Sequence, residues 1–578
     1  MKMTGGELVV RALEDEGIRF TFGIPGTHNI ELYDALAESA RLRAVLVTDE
    51  QSAGFMADAV WRASGELACA NLVPGAGLTH ALSGIAEAWM DTVPMLVLGC
   101  GIRRDTTRAY QLHDIDQLAM VAPVTKGTFR PASGTEIYPI IRKACALARG
   151  GRPGPVMVEI PVEQYLFRHE VDEASLSFPA GPGPRPPDPR QVARAVELLT
   201  APGARPLLYL GLGAAGAGAS LVTLADRLGA PVATTIQGKG VFPESHPLFL
   251  WNMLGAAAPP FARAEGERAT VGLAIGCRFG EVGTGSYGFS PPDPLIHVDI
   301  DPQAIGRNFP AAVGIEADAA AFVSALLAAL PPDHAPGHAA AVERIARGHA
   351  ALRAGRLDRR SANRVTPGVL LEALQARLGP DAIFTTDSGN GTFLAMEGLR
   401  LDYPGRFLAP VDYSCMGYSV PAAIAAKLAR PDAPVVALAG DGAFLMTGLE
   451  LLTAANQGVP VAVFVLRDRE LAQIAQFQAT AFNRKAQSVL PDYDVAGIAA
   501  GIGVECLSLA RDADIEDVLV RVARITAEGR PVLVDTAIDY SEKSFFTQGV
   551  VKANLARLPW RDRLRFIARA LGRRLTGG

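Results

Sequence analysis

Residues 435–470 read VVALAGDGAFLMTGLELLTAANQGVPVAVFVLRDRE. The two apolar runs, VVALA and VAVFVL, have the length and composition of strands buried on both faces, and a helical stretch separates them. An acidic residue follows each run: Asp441 lies in a Gly-Asp-Gly turn, and Asp468 comes two residues after the second run. Because neighbouring parallel strands end at one edge of a sheet, we expect the two carboxylates to lie together there.

The Gly-Asp-Gly turn has the chemistry of a diphosphate site. Glycine lets a diphosphate approach the backbone, and the start of the next helix supplies free N–H groups and a positive dipole end. A diphosphate also needs a counter-ion, and Mg²⁺ prefers oxygen ligands. We therefore predict that Asp441 and Asp468 bind Mg²⁺. Taken alone, the turn is equally consistent with a structural role and no ligand.

The same alternation of apolar runs and helical stretches extends along all 578 residues. Runs such as RAVLVT, PLLYLG and PVLVDT predict buried parallel strands covered by helices on both faces. Pro/Gly-rich breaks at 178–190 and 330–341 separate three groups of such runs, which show no close sequence repeat. We predict an α/β protein of three doubly wound parallel-sheet domains. The predicted segments are 1–177, 191–329, 342–555 and a basic amphipathic tail at 556–578.

Charge, cysteine spacing and apolar runs argue against a nucleic-acid-binding, disulfide-rich, secreted or membrane-spanning protein. The formal net charge of −5 gives no reason to expect a nucleic-acid partner. The six cysteines are scattered without a CxxC pair, which argues against a disulfide framework or a metal cluster and favours a reducing cytoplasm. The N-terminus lacks the apolar core of a signal peptide, and no apolar run reaches the roughly 18 residues of a membrane span.

Residues 440–470 resemble the thiamine diphosphate motif of the acetolactate synthase, pyruvate oxidase and pyruvate decarboxylase superfamily. In that motif Gly-Asp-Gly is followed by a helix, a strand and then Asn or Asp. TTDSGNGTF (385–393), SCMGYSVPAAIAAKLA (414–429) and VPGAGLTHALSG (73–84) resemble further family segments in the same order, so the resemblance covers nearly the whole chain. It implies that the first domain binds the pyrimidine ring of thiamine diphosphate and that the third domain binds its diphosphate. The second is a central domain between them.

The resemblance also implies the cofactors, thiamine diphosphate and Mg²⁺. The metal ligands would be Asp441, Asp468 and the carbonyl of Glu470, while Arg467 departs from the Asn that the family usually has there. Met416 would lie under the cofactor and bend it, although a methionine is more often simply part of a core. The residues implied to contact the cofactor are Glu50, Pro74, Asn390, Gly391, Ser414, Met416, Gly440, Asp441, Gly442, Ala443 and Asp468.

Glu50 is the predicted activating acid. It follows a predicted strand, begins a helix and lies in the family's E-x-x-A-x-x-M-A frame. A partly buried Glu with a raised pKa can share a proton with the cofactor's ring nitrogen. The alternative is that Asp49 and Glu50 only charge a helix N-terminus. In the family this glutamate meets the metal-binding domain across a subunit interface, which implies a homodimer or homotetramer.

Several other residues lie on segments that resemble the family's substrate loops. His28, His80 and His113 are the candidate histidines, and the first and last are predicted to be catalytic because histidine moves protons near neutral pH. Gln473, Ile474 and Phe477 are predicted to line the substrate pocket. Ile474 stands where decarboxylases have Glu, and Phe477 where acetolactate synthases have Trp. This mixed pocket is typical of neither group and resembles cyclohexane-1,2-dione hydrolase.

The middle segment contains Gly211-x-Gly213-x-x-Gly216 after a predicted strand, a dinucleotide pattern. The acidic residue expected some twenty positions on is missing, which argues against NAD. The segment is similar to the superfamily's FAD-binding type, with Arg278 and Asp299 as candidate contacts, so FAD is an alternative to a purely structural role.

The tail places Trp560, Leu564, Ile567, Leu571 and Leu575 on one helical face, with arginines between them. Such a helix can lie on an anionic membrane. Packing on its own subunit or closing over the active site is the stronger hypothesis.

The predicted activity is a thiamine-diphosphate-dependent lyase or transferase, either an acetolactate synthase-like carboligase or a 2-oxo acid decarboxylase. Its substrates would be 2-oxo acids or 1,2-diketones. The alternatives are a flavoprotein similar to pyruvate oxidase, and a non-enzymatic binding protein on the same scaffold. The presence of Glu50, Asp441 and Asp468 argues against the last.

Overall fold

The computed structural model describes residues 1–179, 183–334 and 336–576, so the break predicted at 178–190 lies partly outside the described residues. Three six-stranded parallel sheets with helices on their faces confirm the predicted fold class. Among the described residues, no helix is long and apolar enough to cross a membrane.

The first sheet is formed by residues near the N-terminus. Its strand order is β3-β2-β4-β5-β7-β6, and β1 pairs with β8 in a separate antiparallel ribbon. Thr4 and Glu7 form a capping box that starts the first helix. The elements are β1 (Lys2–Thr4), α1 (Gly5–Asp15), β2 (Phe20–Gly23), α2 (Ile30–Ala37), β3 (Arg43–Leu46), α3 (Glu50–Ser64), β4 (Cys69–Leu72), α4 (Ala76–Met90), β5 (Met95–Gly101), α5 (Gln117–Val121), β6 (Thr128–Phe129), α6 (Ile137–Arg149), β7 (Pro155–Pro161), α7 (Val162–Leu166) and β8 (Arg168–Glu170).

The middle sheet has the strand order β11-β10-β9-β12-β13-β14. Numbered from its own first strand, this is 3-2-1-4-5-6, the order of dinucleotide-binding sheets. The elements are α8 (Pro189–Leu199), β9 (Pro206–Leu210), α9 (Ala219–Leu228), β10 (Val232–Thr234), β11 (Phe249–Asn252), α10 (Pro260–Gly266), β12 (Val271–Ile275), β13 (Leu295–Asp299), β14 (Val313–Glu316) and α11 (Ala319–Ala329).

The third sheet has the order β16-β15-β17-β18-β20-β19. The helix predicted to follow the Gly-Asp-Gly turn begins at Asp441 itself and is divided in two by a 3₁₀ turn at Gly448–Glu450. The elements are α12 (Ala339–Asp358), α13 (Pro367–Leu378), β15 (Ile383–Thr386), α14 (Asn390–Gly398), β16 (Phe407–Leu408), α15 (Ser419–Ala429), β17 (Val435–Gly440), α16 (Asp441–Thr447), α17 (Leu451–Gln457), β18 (Ala462–Leu466), α18 (Ala472–Phe482), α19 (Val495–Gly501), β19 (Glu505–Leu509), α20 (Ile515–Ala527), β20 (Val532–Thr536), α21 (Phe545–Arg557) and α22 (Trp560–Thr576).

The first and third sheets share one topology that the sequence does not reveal. Numbered within each sheet, both have the strand order 2-1-3-4-6-5. Helices α3 and α15, which each follow the second strand of their sheet, pack against each other. Their apolar faces belong to one continuous core, so the two regions form a single packed unit.

A buried polar cluster fixes how these two regions meet. Arg62 donates to Asp58 at 2.6 Å and to Asp91 at 3.0 Å, and the Tyr418 hydroxyl donates to Asp58 at 2.6 Å. Burial and the charge of Asp91 raise the pKa of Glu87 to about 9, so Glu87 is protonated at neutral pH. Buried charges are tolerated only when paired, so the cluster favours one arrangement of α3 and α15.

Candidate functional site

A cavity of about 200 Å³ opens where β15, β17 and β18 end. Its lining residues all lie between Asp387 and Tyr540, in the third sheet and its loops. Parallel α/β sheets bind ligands at this edge, at the point where the strand order reverses. The predicted residues among its lining are Asn390, Gly391, Ser414, Met416, Gly440, Asp441, Gly442, Ala443, Asp468, Glu470, Gln473 and Ile474.

Two carboxylates meet at the floor of this cavity. Asp441 accepts hydrogen bonds from the N–H groups of Gly442 at 2.8 Å and Arg469 at 2.7 Å, and Asp468 accepts from the N–H of Glu470 at 3.1 Å. Burial raises the pKa of Asp441. Burial is the main cause, and the charge of Asp441 the second, that raises the pKa of Asp468 to about 7. A divalent cation between the two carboxylates would remove this repulsion, so the donor set fits Mg²⁺.

The opposite wall has the features of an anion cradle. The buried Asn390 Nδ2, at the start of α14, has no hydrogen-bond partner among the described residues. A buried donor of this kind calls for an acceptor. A side chain at Gly440 would meet no atom within 4 Å, so its backbone faces open space. Together these groups fit the oxygens of a diphosphate.

The loop before α15 brings Met416 into the cavity under backbone strain. Ser414 has φ +68°, a left-handed conformation that side chains rarely adopt, and its hydroxyl bonds that of Ser388 at 2.7 Å. A Cβ on Gly442 would lie 3.4 Å from Met416 Cε, so Met416 and the Gly-Asp-Gly turn are neighbours. Non-glycine residues held at positive φ cluster at functional sites.

Arg467, which departs from the family motif, points away from the cavity. Its guanidinium donates to Asp535 Oδ1 at 2.8 Å and to Asp492 Oδ1 at 3.2 Å. The arginine is therefore paired with carboxylates other than Asp441 and Asp468. This pairing explains how the positive charge of Arg467 is accommodated next to Asp468, a predicted metal ligand.

A second cluster lies at the ends of β2, β3 and β4 in the first sheet. Glu50 begins α3 and is only 8% exposed. A Cβ on Gly77 would come within 2.8 Å of Glu50 Oε1 and 2.7 Å of Val73 Cγ2, so a side chain there would have to displace both. His80 Nδ1 lies 3.4 Å from Asp49 Oδ2 and 3.7 Å from Glu50 Oε2.

His28 and His113 form a pair in this cluster. Their rings meet edge to face with centroids 5.5 Å apart. The loop that carries Pro74 reaches them, because a Cβ on Gly75 would lie 3.2 Å from His113 Nδ1. Burial, followed by the charge of His113, lowers the pKa of His28. A neutral His28 at neutral pH can accept a proton.

Three family models match the chain in order. They are described as the thiamine pyrophosphate enzyme N-terminal TPP binding domain, central domain and C-terminal TPP binding domain, and they match residues 3–120, 192–326 and 387–536. The chain belongs to the thiamine pyrophosphate enzyme family. The third match begins at Asp387 and includes both carboxylates of the cavity.

Curated relatives of this thiamine pyrophosphate enzyme include three acetolactate synthases. The large subunit from Mycobacterium tuberculosis is 33% identical over 553 residues, 92% of this chain and 88% of the relative. A probable large subunit from Methanocaldococcus jannaschii is 33% identical over 559 residues, 93% of each chain. The isozyme 3 large subunit from Escherichia coli is 31% identical over 559 residues, 93% of this chain and 96% of the relative. The chain is thus an enzyme of the acetolactate synthase type.

A single chain of this thiamine pyrophosphate enzyme does not bring all the predicted site residues into one cavity. None of Glu50, His28, His80 and His113 lines the cavity that contains Asp441. Phe477, predicted for the substrate pocket beside Ile474, lies one helical turn further along α18 and lines a neighbouring cavity instead.

Three residues that sequence reasoning did not single out also shape the cavity. Asp387 is buried and accepts from the N–H of Ser419 at 3.0 Å, and burial raises its pKa to about 6. The Tyr493 hydroxyl donates to the carbonyl of Asp441 at 3.0 Å, and Tyr540 lines the cavity. Asp387 lies within a recognised motif, whereas the two tyrosines come from distant segments with no local signal.

A cavity of about 310 Å³ lies where β9, β12 and β13 of the middle sheet end, and Arg152 and Asp412 from the other two regions also line it. Arg278 and Asp299 both line it, as do Gly211 and Gly213. A Cβ on Gly211 would lie 2.0 Å from the Gly276 carbonyl, so the glycine pattern is also required by close packing of two loops. Arg152 Nε, buried beside this cavity, has no partner among the described residues.

Proposed function

We propose that this enzyme is a carboligase or lyase that makes or breaks the carbon–carbon bond next to the carbonyl of a 2-oxo acid or 1,2-diketone. The observation that supports this most is the pair Asp441 and Asp468, buried together opposite an unpartnered Asn390 amide. When bound, thiamine diphosphate supplies a nucleophilic carbon and an electron sink for such a reaction.

Each group of the cavity has a proposed role. Asp441, Asp468 and the carbonyl of Glu470 hold Mg²⁺, and Asn390 with the backbone of Gly391 holds the diphosphate. The other predicted contacts hold the rest of the cofactor: Pro74, Ser414, Met416, Gly440, Gly442 and Ala443.

The first-sheet cluster is proposed to handle protons. Glu50 is held by the close approach of Gly77 and shares a proton with the pyrimidine ring. His28 and His113 would move a proton at the substrate, beside Gln473 and Ile474. His80, more than half exposed in the single chain, lies within 4 Å of Glu50 and Asp49 and would orient those carboxylates.

A homodimer or a larger homo-oligomer is part of this proposal. Glu50 is not among the residues that line the Asp441 cavity of its own chain, so a second copy would complete the site. An exposed apolar stripe on α16 and α17, immediately after Asp441, supports such an interface. The stripe consists of Leu445, Met446, Leu449 and Leu452.

The test is a mass-spectrometric screen of 2-oxo acids and 1,2-diketones with added thiamine diphosphate and Mg²⁺. Cleavage or coupling products that require both cofactors are expected. A protein that binds thiamine diphosphate but gives no product, and no hydrogen–deuterium exchange at the thiazolium carbon, would instead be a binding protein on the same scaffold.

FAD binding is a second proposal, supported by the middle cavity. The unpartnered Arg152 Nε and the glycine turn at Gly211 fit a phosphate group there. Flavin absorbance in the purified protein would support the proposal. Reduction of an electron acceptor by pyruvate would further favour the pyruvate oxidase-like activity, and a colourless protein would leave the middle region as a scaffold.

The tail helix α22 packs on α18 of its own chain, where Arg569 and Arg573 lie over the ring of Phe482. We propose that this packing is its main role. Trp560, Leu564 and Leu571 remain exposed on the other face, so peripheral membrane contact stays a weaker alternative. The side chain of Leu575 lies outside the described residues. Six free cysteines support a reducing compartment such as the cytoplasm.

A further inference from the structure

A further cavity of about 420 Å³, partly open to solvent, is formed by α18, α21 and α22 near the cofactor cavity. We call it the tail chamber. Its walls are mainly apolar and include Phe477 and Ala481 of α18, Leu555 of α21 and Phe566 of α22. This volume is within the range of about 300–1,000 Å³ found for small-molecule sites.

Helix α18 contributes residues to both cavities. Ile474 on its first turn lines the cofactor cavity, and Phe477 and Ala481 line the tail chamber. These three residues are spaced i, i+3 and i+7, so they form one apolar stripe along the helix. The seven helical steps from Ile474 to Ala481 span about 10 Å, the length of an unbranched chain of about eight carbons.

The polar side chains of the tail chamber already have partners within the protein. Arg557 donates to the carbonyl of Ser286 at 3.0 Å and to Asn554 Oδ1 at 2.8 Å, and the Thr480 hydroxyl donates to the carbonyl of Gln476 at 2.8 Å. A ligand in the chamber would therefore meet apolar walls and few free hydrogen-bonding groups. An apolar chain suits such a site better than a polar one.

We propose that the tail chamber binds the apolar chain of a substrate, about eight carbons long, while the reacting carbonyl lies in the cofactor cavity. This inference rests on the proposed function of the Asp441 cavity. It assigns a specificity role to α22, because Phe566 contributes an apolar wall to the chamber. The chain can belong to the 2-oxo acid donor or to an aldehyde acceptor, since both end in a carbonyl.

The experiment measures kcat/KM for two series with the full-length holoenzyme. The donor arm uses unbranched 2-oxo acids from pyruvate to 2-oxodecanoate, and the acceptor arm uses pyruvate with unbranched aldehydes from ethanal to decanal. We expect kcat/KM to rise by about three- to four-fold for each added methylene in one arm, because each buried methylene is removed from water. The arm that shows the rise identifies the substrate that carries the chain.

Ala481→Phe fills the chamber and should abolish this rise while leaving the shortest substrate little affected. Ala479→Phe adds the same bulk to α18 at a residue that does not line the chamber, and should keep the rise. Phe566→Ala removes the α22 wall without adding bulk, and should weaken the rise even if Ala481→Phe folds poorly. A flat or falling series in both arms, or an unchanged rise in Ala481→Phe, would overturn the proposal.

Failure of the proposed function gives a different result. If the holoenzyme converts no 2-oxo acid, pyruvate included, the chamber is judged by calorimetry with octanoate, and if it also converts no 1,2-diketone, the assignment of the reaction is wrong. Binding by the unaltered protein that is lost in Ala481→Phe would support the chamber. No binding, or equal binding by both proteins, would defeat it.

Discussion

The two halves of the candidate site are built from sheets of the same strand order, yet they are constructed differently. The half in the third sheet is a cavity in which Asp441 is only 2% exposed and several glycines form part of the wall. In the half in the first sheet, Glu50 begins α3 and His80 lies in the second turn of α4, where its side chain is 58% exposed, while His28 and His113 lie on loops. We call these the anchoring half and the proton half.

This difference indicates a division of labour. Backbone groups and buried carboxylates suit the tight binding of a charged cofactor, since they lose little freedom when it binds. Ionisable side chains that can gain and lose charge near neutral pH, such as the histidines, suit proton exchange. Substitutions in the anchoring half should therefore weaken cofactor binding. Substitutions in the proton half should leave the cofactor bound and slow the reaction.

The largest effect is expected at the metal ligands. Asp441→Ala or Asp468→Ala should reduce retention of thiamine diphosphate and Mg²⁺ by more than about 100-fold, since even outer-shell changes cost 10–100-fold. Bound cofactor after dialysis is the measurement. Asp468→Asn should keep much of the binding, because an amide oxygen is also a Mg²⁺ ligand. Glu470→Gln is the matched control, since only its carbonyl is proposed as a ligand. Full retention in both alanine variants would contradict the anchoring role.

The next effect concerns Glu50. Glu50→Gln should lower kcat by about 10²- to 10⁴-fold, the usual contribution of a general acid or base, while cofactor retention changes little. Asp49→Asn is the control, because Asp49 is the partly exposed N-cap of the same helix. Comparing kcat with bound cofactor in the two variants tests the division. If Glu50→Gln lost cofactor as completely as Asp441→Ala, the two halves would not differ as proposed.

Mixing inactive variants tests whether two chains share one site. Unfolding and refolding Glu50→Gln together with Asp441→Ala should give dimers of which half contain both chains. Each such dimer has one site with both residues intact, so about a quarter of the unaltered activity should return. Each variant refolded alone is the control and should stay inactive. If Glu50 served the cavity of its own chain, the mixture would also stay inactive.

The sequence was sufficient for the fold class and for most of the anchoring half. The apolar runs before Asp441 and Asp468 are long and uniform, Asp441 follows β17 directly, and Asp468 comes two residues after β18. Local pattern therefore located the two carboxylates that we propose as metal ligands. Other strands carry a weaker sequence signal: β19 includes the partly exposed Glu505 and Cys506, and β2 is four residues long.

The proton half was less predictable for a physical reason. The contacts of His28 with His113, and of Gly77 with Glu50, join segments far apart in sequence, so no local spacing encodes them. The position of Phe477 in the tail chamber likewise depends on α21 and α22, which lie some seventy to ninety residues later. The shared strand order of the first and third sheets also leaves no close sequence repeat, because many apolar side chains can fill equivalent strands.

The smallest effect is expected within the proton half, at the His28–His113 pair. His28→Ala should lower kcat/KM by about 10²-fold if the imidazole transfers a proton. Because burial and the charge of His113 lower the pKa of His28, its neutral form persists to lower pH than for an ordinary histidine. Activity that needs this neutral base is present above its pKa and lost as pH falls through it. His113→Gln removes the charge of His113 and leaves the burial of His28 unchanged. The pKa of His28 should therefore rise part of the way to its ordinary value, and the acidic limb of the kcat/KM profile should move to higher pH. A limb that stays in place would show that His28 does not titrate in the reaction, leaving Glu50 as the main proton-handling group.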